Sequence, residues 1–363
     1  MHVGYSAIFQ NPEDALPDRE VYRNELRLAE LAEPLGFDSV WSVEHHFTDY
    51  TMCPDVAQFL SYMAGKTTRV KLGSMVMVLP WHDPMRVAEQ VSLLDHLSDG
   101  RMVLGLGRGL GKVEFEGFRI DMNESRSRFV EYAEMVLEGL ERGYCEYSGQ
   151  HIEQPRRDIR PAPFKTFRGR TYAAAVSPES SRIMAKLGVG LLIVPQKPWE
   201  DVKRELETYR EIYRDENGEE PPAPLVAGWT MVDRDAELAR EKAYGYIGKY
   251  YETVLKHYQF SQDHLKTTKG YEYYASLTKY IDKRGADGAA ADFAELHPWG
   301  TPAEVVEKIA AIYDIVGHNG YMAVLSFSGM PYDEAERNMR LFASDVLPEL
   351  KRMGIPEAHF EAA

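Results

Sequence analysis

Three clusters of residues carry groups able to do chemistry. Glu44-His45-His46-Phe47 leaves the end of a strand-like run, Asp38-Ser39-Val40-Trp41-Ser42. Strand ends are where α/β proteins gather their reacting groups, and imidazole is the side chain whose charge changes near neutral pH. Such a pair can exchange a proton during turnover, or it can simply pack a loop. The second cluster, Gly105-Leu106-Gly107-Arg108-Gly109-Leu110-Gly111-Lys112, lets a backbone approach a bulky planar or phosphorylated ligand, with Arg108 as a forked donor. It is neither a dinucleotide fingerprint, which needs Gly where Leu110 stands, nor a triphosphate loop, which needs Gly at Leu106 and Ser or Thr at Val113. A strand end that only turns is the plainer alternative. The third cluster, Ser177-Pro178-Glu179-Ser180-Ser181, reads as a capped helix start with proline in first position. Its free N–H groups and the hydroxyls of Ser177 and Ser180 suit an anion. Capping alone accounts for Ser177 equally well, but with Arg108 and Arg126 nearby the cluster points to phosphate.

Other chemistries lack their patterns. There is no His-Glu-x-x-His, no Cys-x-x-Cys and no Gly-x-Ser-x-Gly. A zinc hydrolase would have to draw Glu44, His45, His82 and His297 from separate strand ends; no metal is expected. A formal net charge of −15 disfavours nucleic acid and anionic membranes as partners. Cys53 and Cys145 are too few for a disulfide framework and fit a reducing compartment, the cytoplasm. The amino-terminal residues lack a signal-peptide pattern, and no apolar run is long enough to span a bilayer.

The elements that must position these groups follow from periodicity. Short β-rich runs alternate with longer segments of helical period, the pattern of parallel strands joined by crossover helices. Strands are expected near 2–8, 37–42, 69–78, 102–106, 171–176, 189–194, 224–231 and 320–326. Helices are expected near 19–35, 54–65, 84–97, 125–142, 178–187, 199–214, 235–255, 302–316 and 332–351. Eight such units predict an α/β chain folded as an eight-stranded parallel (β/α) TIM barrel, one domain over 1–363, with a doubly wound open sheet as the alternative. Two insertions stand out: an irregular excursion over 143–170, and 258–298 after the seventh strand, long and glycine-containing enough to be a lid or an excursion packed on the barrel.

These motifs carry a resemblance. Phe37 through Thr48, Val78-Leu79-Pro80, Pro84-Met85-Arg86 and Leu93 through Arg101 resemble the flavin-dependent, bacterial luciferase-like monooxygenases. So do Gly107-Arg108-Gly109-Leu110, Asp121 through Arg126, Gly300-Thr301-Pro302 and Leu341 through Pro348, and within the family the chain is similar to the luciferase alpha chains. The resemblance covers nearly the whole chain. It implies a barrel that binds reduced FMN, with the phosphate held by Arg108, Arg126, Ser177 and Ser180. It places His45 at the reacting face of the flavin, with Glu44 beside it and His46 ordering the loop. Met75-Val76 becomes a non-prolyl cis peptide beneath the ring, and 266–288 the mobile loop shielding the site.

The resemblance further implies that a separate flavin reductase supplies the FMN, since the chain shows no dinucleotide site. Dioxygen would then yield a 4a-hydroperoxide that converts an aldehyde or ketone, or hydroxylates an apolar carbon. Phe9, Tyr50, Trp81, Trp229 and Phe327 suggest a small hydrophobic organic substrate. A homodimer through 54–64 and 84–97 is expected. Two departures weigh against light emission and a long-chain aldehyde: Gly107 replaces a reactive Cys, leaving a roomier pocket, and Val176 replaces an acidic residue beside the phosphate. A deazaflavin-dependent dehydrogenase on the same barrel and a non-catalytic flavin-binding accessory subunit are the alternative functions.

Overall fold

The computed structural model describes all residues except Val176, Ser177, 261–263, Glu357, His359 and 361–363, together with the side chains of Pro178, Lys266, Glu272, Tyr273, Ala275 and Ser276. Eight parallel strands form the barrel: β1 His2–Ala7, β2 Ser39–Ser42, β3 Lys71–Ser74, β4 Met102–Gly107, β5 Thr171–Ala174, β6 Gly190–Ile193, β7 Leu225–Trp229 and β8 Gly320–Val324. Each pairs with its neighbours in sequence, and β1 pairs with β8 through Tyr5 opposite Ala323. That pairing closes the sheet and removes the open-sheet alternative. The strands are buried apolar runs, as a parallel sheet under helices requires.

The amino-terminal end of the barrel is a packed core. Trp41, Val103, Tyr172, Leu192, Leu225 and Met322 meet inside it, joined by Phe360, whose ring lies 4.9 Å from His2 and 6.0 Å from Tyr172. Gly73 of β3 is required there, because a Cβ would enter the Trp41 ring. Asp95 and Arg170 bind each other through both carboxylate oxygens, at 2.6 and 2.8 Å, and tie helix Pro84–Leu97 to the start of β5.

The structure adds detail to four of the expected segments. The strand expected over 69–78 is split: β3 ends at Ser74, the Met75–Val76 peptide is cis, and Met77–Val78 pairs separately with β4. The excursion over 143–170 is not wholly irregular, because Tyr144–Ser148 and Glu153–Asp158 form an antiparallel hairpin. The 258–298 insertion is largely helical, with helices at His264–Thr267, Glu272–Arg284 and Ala286–Glu295. The last helix is interrupted by a π turn at Phe342–Val346. A short helix, Lys112–Phe118, follows β4 unforeseen. Among the described residues no helix is long and apolar enough to cross a membrane.

One buried acid gives the fold a pH signature. Glu25 of helix Asp18–Leu31 is 2 % exposed and accepts the Ser326 hydroxyl at 2.7 Å. Burial pushes its carboxyl up to about 7, against hydrogen bonds from Ser326 and Tyr332 that pull it down. Between the ordinary value of 4.5 and about 7 the folded chain therefore holds a proton that the unfolded chain has lost, so stability falls as pH rises through this window. The slope is about 1.4 kcal/mol per pH unit at most. Urea denaturation of Glu25→Gln should show the variant gaining on wild type as pH is raised through the window; parallel stability curves would contradict this assignment.

Candidate active site

The carboxyl ends of the strands surround a carboxylate that the sequence did not single out. Glu114, from the first turn of Lys112–Phe118, has a side chain with no exposure at all. Its Oε1 accepts from His45 Nδ1 at 2.9 Å and from the His46 backbone N–H at 2.9 Å. Its Oε2 lies 3.5 Å from His257 Nε2, and His257 Nδ1 in turn lies 2.9 Å from the Thr48 hydroxyl. Burial alone would push this carboxyl up, but the charge of His45 and its hydrogen bond hold it at about 2. An ionised carboxylate only accepts. The proton of a neutral His45 ring therefore sits on Nδ1, and the Nε2 lone pair accepts from the Tyr258 hydroxyl at 3.5 Å. Burial pushes the His257 ring below its usual range, against the pull of Glu114.

Glu44 is a second buried acid with a different task. Its Oε1 accepts from His82 Nε2 at 2.7 Å and His46 Nε2 at 3.1 Å, and its Oε2 accepts the Val78 N–H at 2.9 Å. Burial raises this carboxyl, yet these donors hold it below the ordinary range, while Glu44 in turn holds His82 up against burial. The carboxylate thus fastens the loop after β2 to the segment after the cis peptide. His46 is bound on both sides and packs on Phe118 at 4.6 Å and Trp81 at 5.4 Å.

Between these acids and the far wall lies a cavity of ≈ 220 Å³. Glu44, His45, Met75, Val76, Gly107, Arg108, Arg126 and Ser180 all contribute to its lining. Arg108 Nη1 and Arg126 Nη2 both donate to the Gly270 carbonyl, at 2.9 and 3.0 Å, and Arg108 lies 4.0 Å over the Tyr271 ring. The Tyr271 hydroxyl reaches the Gly109 carbonyl at 2.8 Å and Ser125 Oγ at 3.0 Å. The insertion is thereby docked on the two arginines. Glycine is needed at 270, where φ is +85° and a Cβ would come within 2.9 Å of Arg126 Cζ. Arg126 also pairs with Glu179, while its Nε is buried without a partner.

The structure thus brings eight of the expected residues to one cavity and sets His46 behind it. Val176 and Ser177 lie outside the described residues. Tyr50, Trp81 and Trp229 line the cavity as expected, but Phe9 and Phe327 do not; Phe9 is core, 5.2 Å from Phe59. The zinc set is not assembled. His297 sits between Trp229 and Phe293, at 5.1 and 4.5 Å, and burial pushes it down to about 3. The pocket is not roomier at Gly107, because the Val76 side chain occupies the place a Cβ would take. Glu114 and His257 were missed. The one available signal was the position of Glu114 soon after the glycine cluster; His257 lies inside a long helix, Ala236–His257, with no local mark.

Comparison with known proteins gives the family and the fold. The family model described as luciferase-like monooxygenase matches residues 1–319. An alkanal monooxygenase alpha chain of Photorhabdus luminescens is 29% identical over 336 residues, 92% of each chain. The monooxygenase RslO1 from Streptomyces bottropensis is similar in structure, with a TM-score of 0.78, 26% identity and coverage of 96% of this chain and 99% of that one. The oxygenating constituent of 3,6-diketocamphane monooxygenase from Pseudomonas putida, solved with FMN, shares the fold at a TM-score of 0.75 and 17% identity, over 96% of this chain and 99% of that one.

The Gly107–Val76 contact makes a clean test of the cavity wall. Gly107→Ala should destabilise the protein by about 1–3 kcal/mol through overpacking. Combining it with Val76→Ala should recover part of that loss, so the double-mutant cycle should give a favourable coupling. Additive effects in thermal denaturation would show that the two positions do not compete for space.

Proposed function

Because the chain belongs to the luciferase-like monooxygenase family, we propose that it is an oxidoreductase that holds reduced FMN in this cavity and, with dioxygen, oxygenates a small hydrophobic organic substrate. The observation that carries the proposal is the joint presence of Arg108, Arg126, Ser180 and His45 around one cavity. The residues fit the cofactor. Among the described residues Arg126 Nε is buried without a partner and Arg108 donates from Nη1 to the Gly270 carbonyl, so donors remain for a phosphate. Reduced flavin, when bound, supplies the electrons that activate dioxygen.

The chain's own residues then have distinct tasks. Arg108, Arg126 and Ser180, with Ser177, bind the phosphate. His45 takes or returns a proton at Nε2, with Glu114 fixing its ring and tautomer. Glu44 and His46 order the loop that carries it. The docked insertion and the walls of Tyr50, Trp229, Tyr250 and Tyr258 exclude water, and these apolar walls suit an aldehyde, a ketone or an apolar carbon. Burial pushes the Tyr50 phenol up to about 12, so it stays neutral.

A separate flavin reductase supplies the FMN. The enzyme works in the cytoplasm as a homodimer, joined through helices Val56–Lys66 and Pro84–Leu97, on which Tyr62, Leu93 and Leu97 are exposed.

Anaerobic titration with reduced FMN, followed by mixing with oxygen and candidate aldehydes or ketones, tests the proposal. Tight binding and substrate-dependent oxygen uptake are expected. Arg126→Ala should weaken flavin binding about 10-fold or more, and His45→Ala should lower kcat about 100-fold. Glu114→Gln should displace the pH profile rather than abolish binding. Hydride transfer to or from a deazaflavin with no oxygen uptake would replace the proposal with a dehydrogenase, and flavin binding without any turnover would make the chain an accessory subunit.

A further inference from the structure

The groups around Glu114 satisfy a second chemistry. The ligand atoms of His45, Glu114 and His257 all lie within 4.8 Å of one another. Two atoms at the centre of this group, Glu114 Oε2 and His257 Nε2, are buried and have no hydrogen-bond partner, although they face each other at 3.5 Å. Their side chains are 0% and 1% exposed. Buried polar atoms ordinarily find partners, and two facing acceptor-capable atoms leave a place for a positive charge between them.

We propose that His45, Glu114 and His257 form a buried binding site for one divalent transition-metal ion of the zinc or cobalt class, behind the cavity wall that His45 contributes. Two imidazoles and a carboxylate are the donors such ions select over magnesium or calcium. A tetrahedral ion with bonds of about 2.0–2.2 Å keeps its ligand atoms roughly 3.4 Å apart. His45 Nδ1 lies 2.9 Å from Glu114 Oε1 and His257 Nε2 lies 3.5 Å from Oε2, and with one ligand atom from each residue all within 4.8 Å, small side-chain shifts bring the three to that spacing.

Further contacts already orient the ligands. Thr48 Oγ1 holds His257 Nδ1 at 2.9 Å and so turns Nε2 inward, and the His46 N–H holds Glu114 Oε1 at 2.9 Å. The set differs from the one sequence reasoning had assembled. It keeps His45 but takes Glu114 and His257 from other elements.

The consequence for the enzyme is inhibition. An ion on His45 Nδ1 displaces the neutral ring's proton to Nε2, the atom left with a lone pair in the metal-free site. Metal binding itself needs no flavin, so its success or failure is independent of the proposed oxygenation.

The test is titration of the full-length protein, without added flavin, with Co2+ followed by visible absorption. One equivalent should produce the intense ligand-field bands of a four- or five-coordinate ion, displaced stoichiometrically by Zn2+, and Zn2+ should raise the melting temperature. Glu114→Gln and His257→Gln should each weaken Co2+ binding at least about 10-fold. Thr48→Val, which leaves all ligands in place, should do so by about 10-fold and guards against a ligand variant that fails to fold. The proposal is overturned by a weak octahedral spectrum, by a thiolate charge-transfer band reporting Cys53 or Cys145 instead, or by Co2+ affinity that the Glu114 and Thr48 variants leave unchanged.

Discussion

A single buried carboxylate sets the terms for this site. A charge removed from water costs several kcal/mol unless donors surround it, and Glu114 accepts from His45 and the His46 N–H on one oxygen while the His257 ring faces the other at 3.5 Å. These groups come from the loop after β2 and from the end of helix Ala236–His257. Once Glu114 is in place after β4, both segments are drawn to it. The chemistry of His45 is therefore a consequence of how that charge is satisfied. Turning its ring away removes one of the two hydrogen bonds on Glu114 Oε1 and leaves the buried anion short of a donor.

Glu44 repeats the device one step away. It receives two imidazoles and the Val78 N–H, and so fixes the chain on the far side of the Met75–Val76 peptide. Two acids thus brace the loops that follow β2 and β3, and the cavity opens between those loops and the arginine side. Barrels usually hold their reacting groups on such loops while the strands stay constant. Here the strands position the loops, but the carboxylates decide which way the side chains face.

The sequence was most legible where burial has a period. Every barrel strand and its following helix appear near the expected residues, because a strand such as Leu225–Trp229 and a helix such as Pro302–Val316, opened by Thr301 and Pro302, each carry their pattern locally. Arg108, Arg126 and His45 were legible as residue types beside strand ends. Glu114 and His257 were not, since their meaning lies in a meeting across more than a hundred residues of chain. The 143–170 hairpin was hidden for a different reason. Its second strand, Glu153–Asp158, is mostly charged and exposed, so it lacks the apolar alternation that marks a half-buried strand.

The phosphate site proposed on the arginine side requires an acidic protein to receive an anion. A net charge of −15 repels phosphate at long range, but ions screen that field beyond about 8 Å at physiological salt. What a phosphate meets within that distance is the pair Arg108 and Arg126. The carbonyl they share, that of Gly270, is neutral and leaves both guanidinium charges in place; among the described residues Glu179, 61% exposed, answers one of them. Had the insertion docked through a buried carboxylate, the two charges would have been cancelled where they are needed. A backbone carbonyl on a glycine holds the insertion down and leaves the electrostatics of the cavity positive at that end.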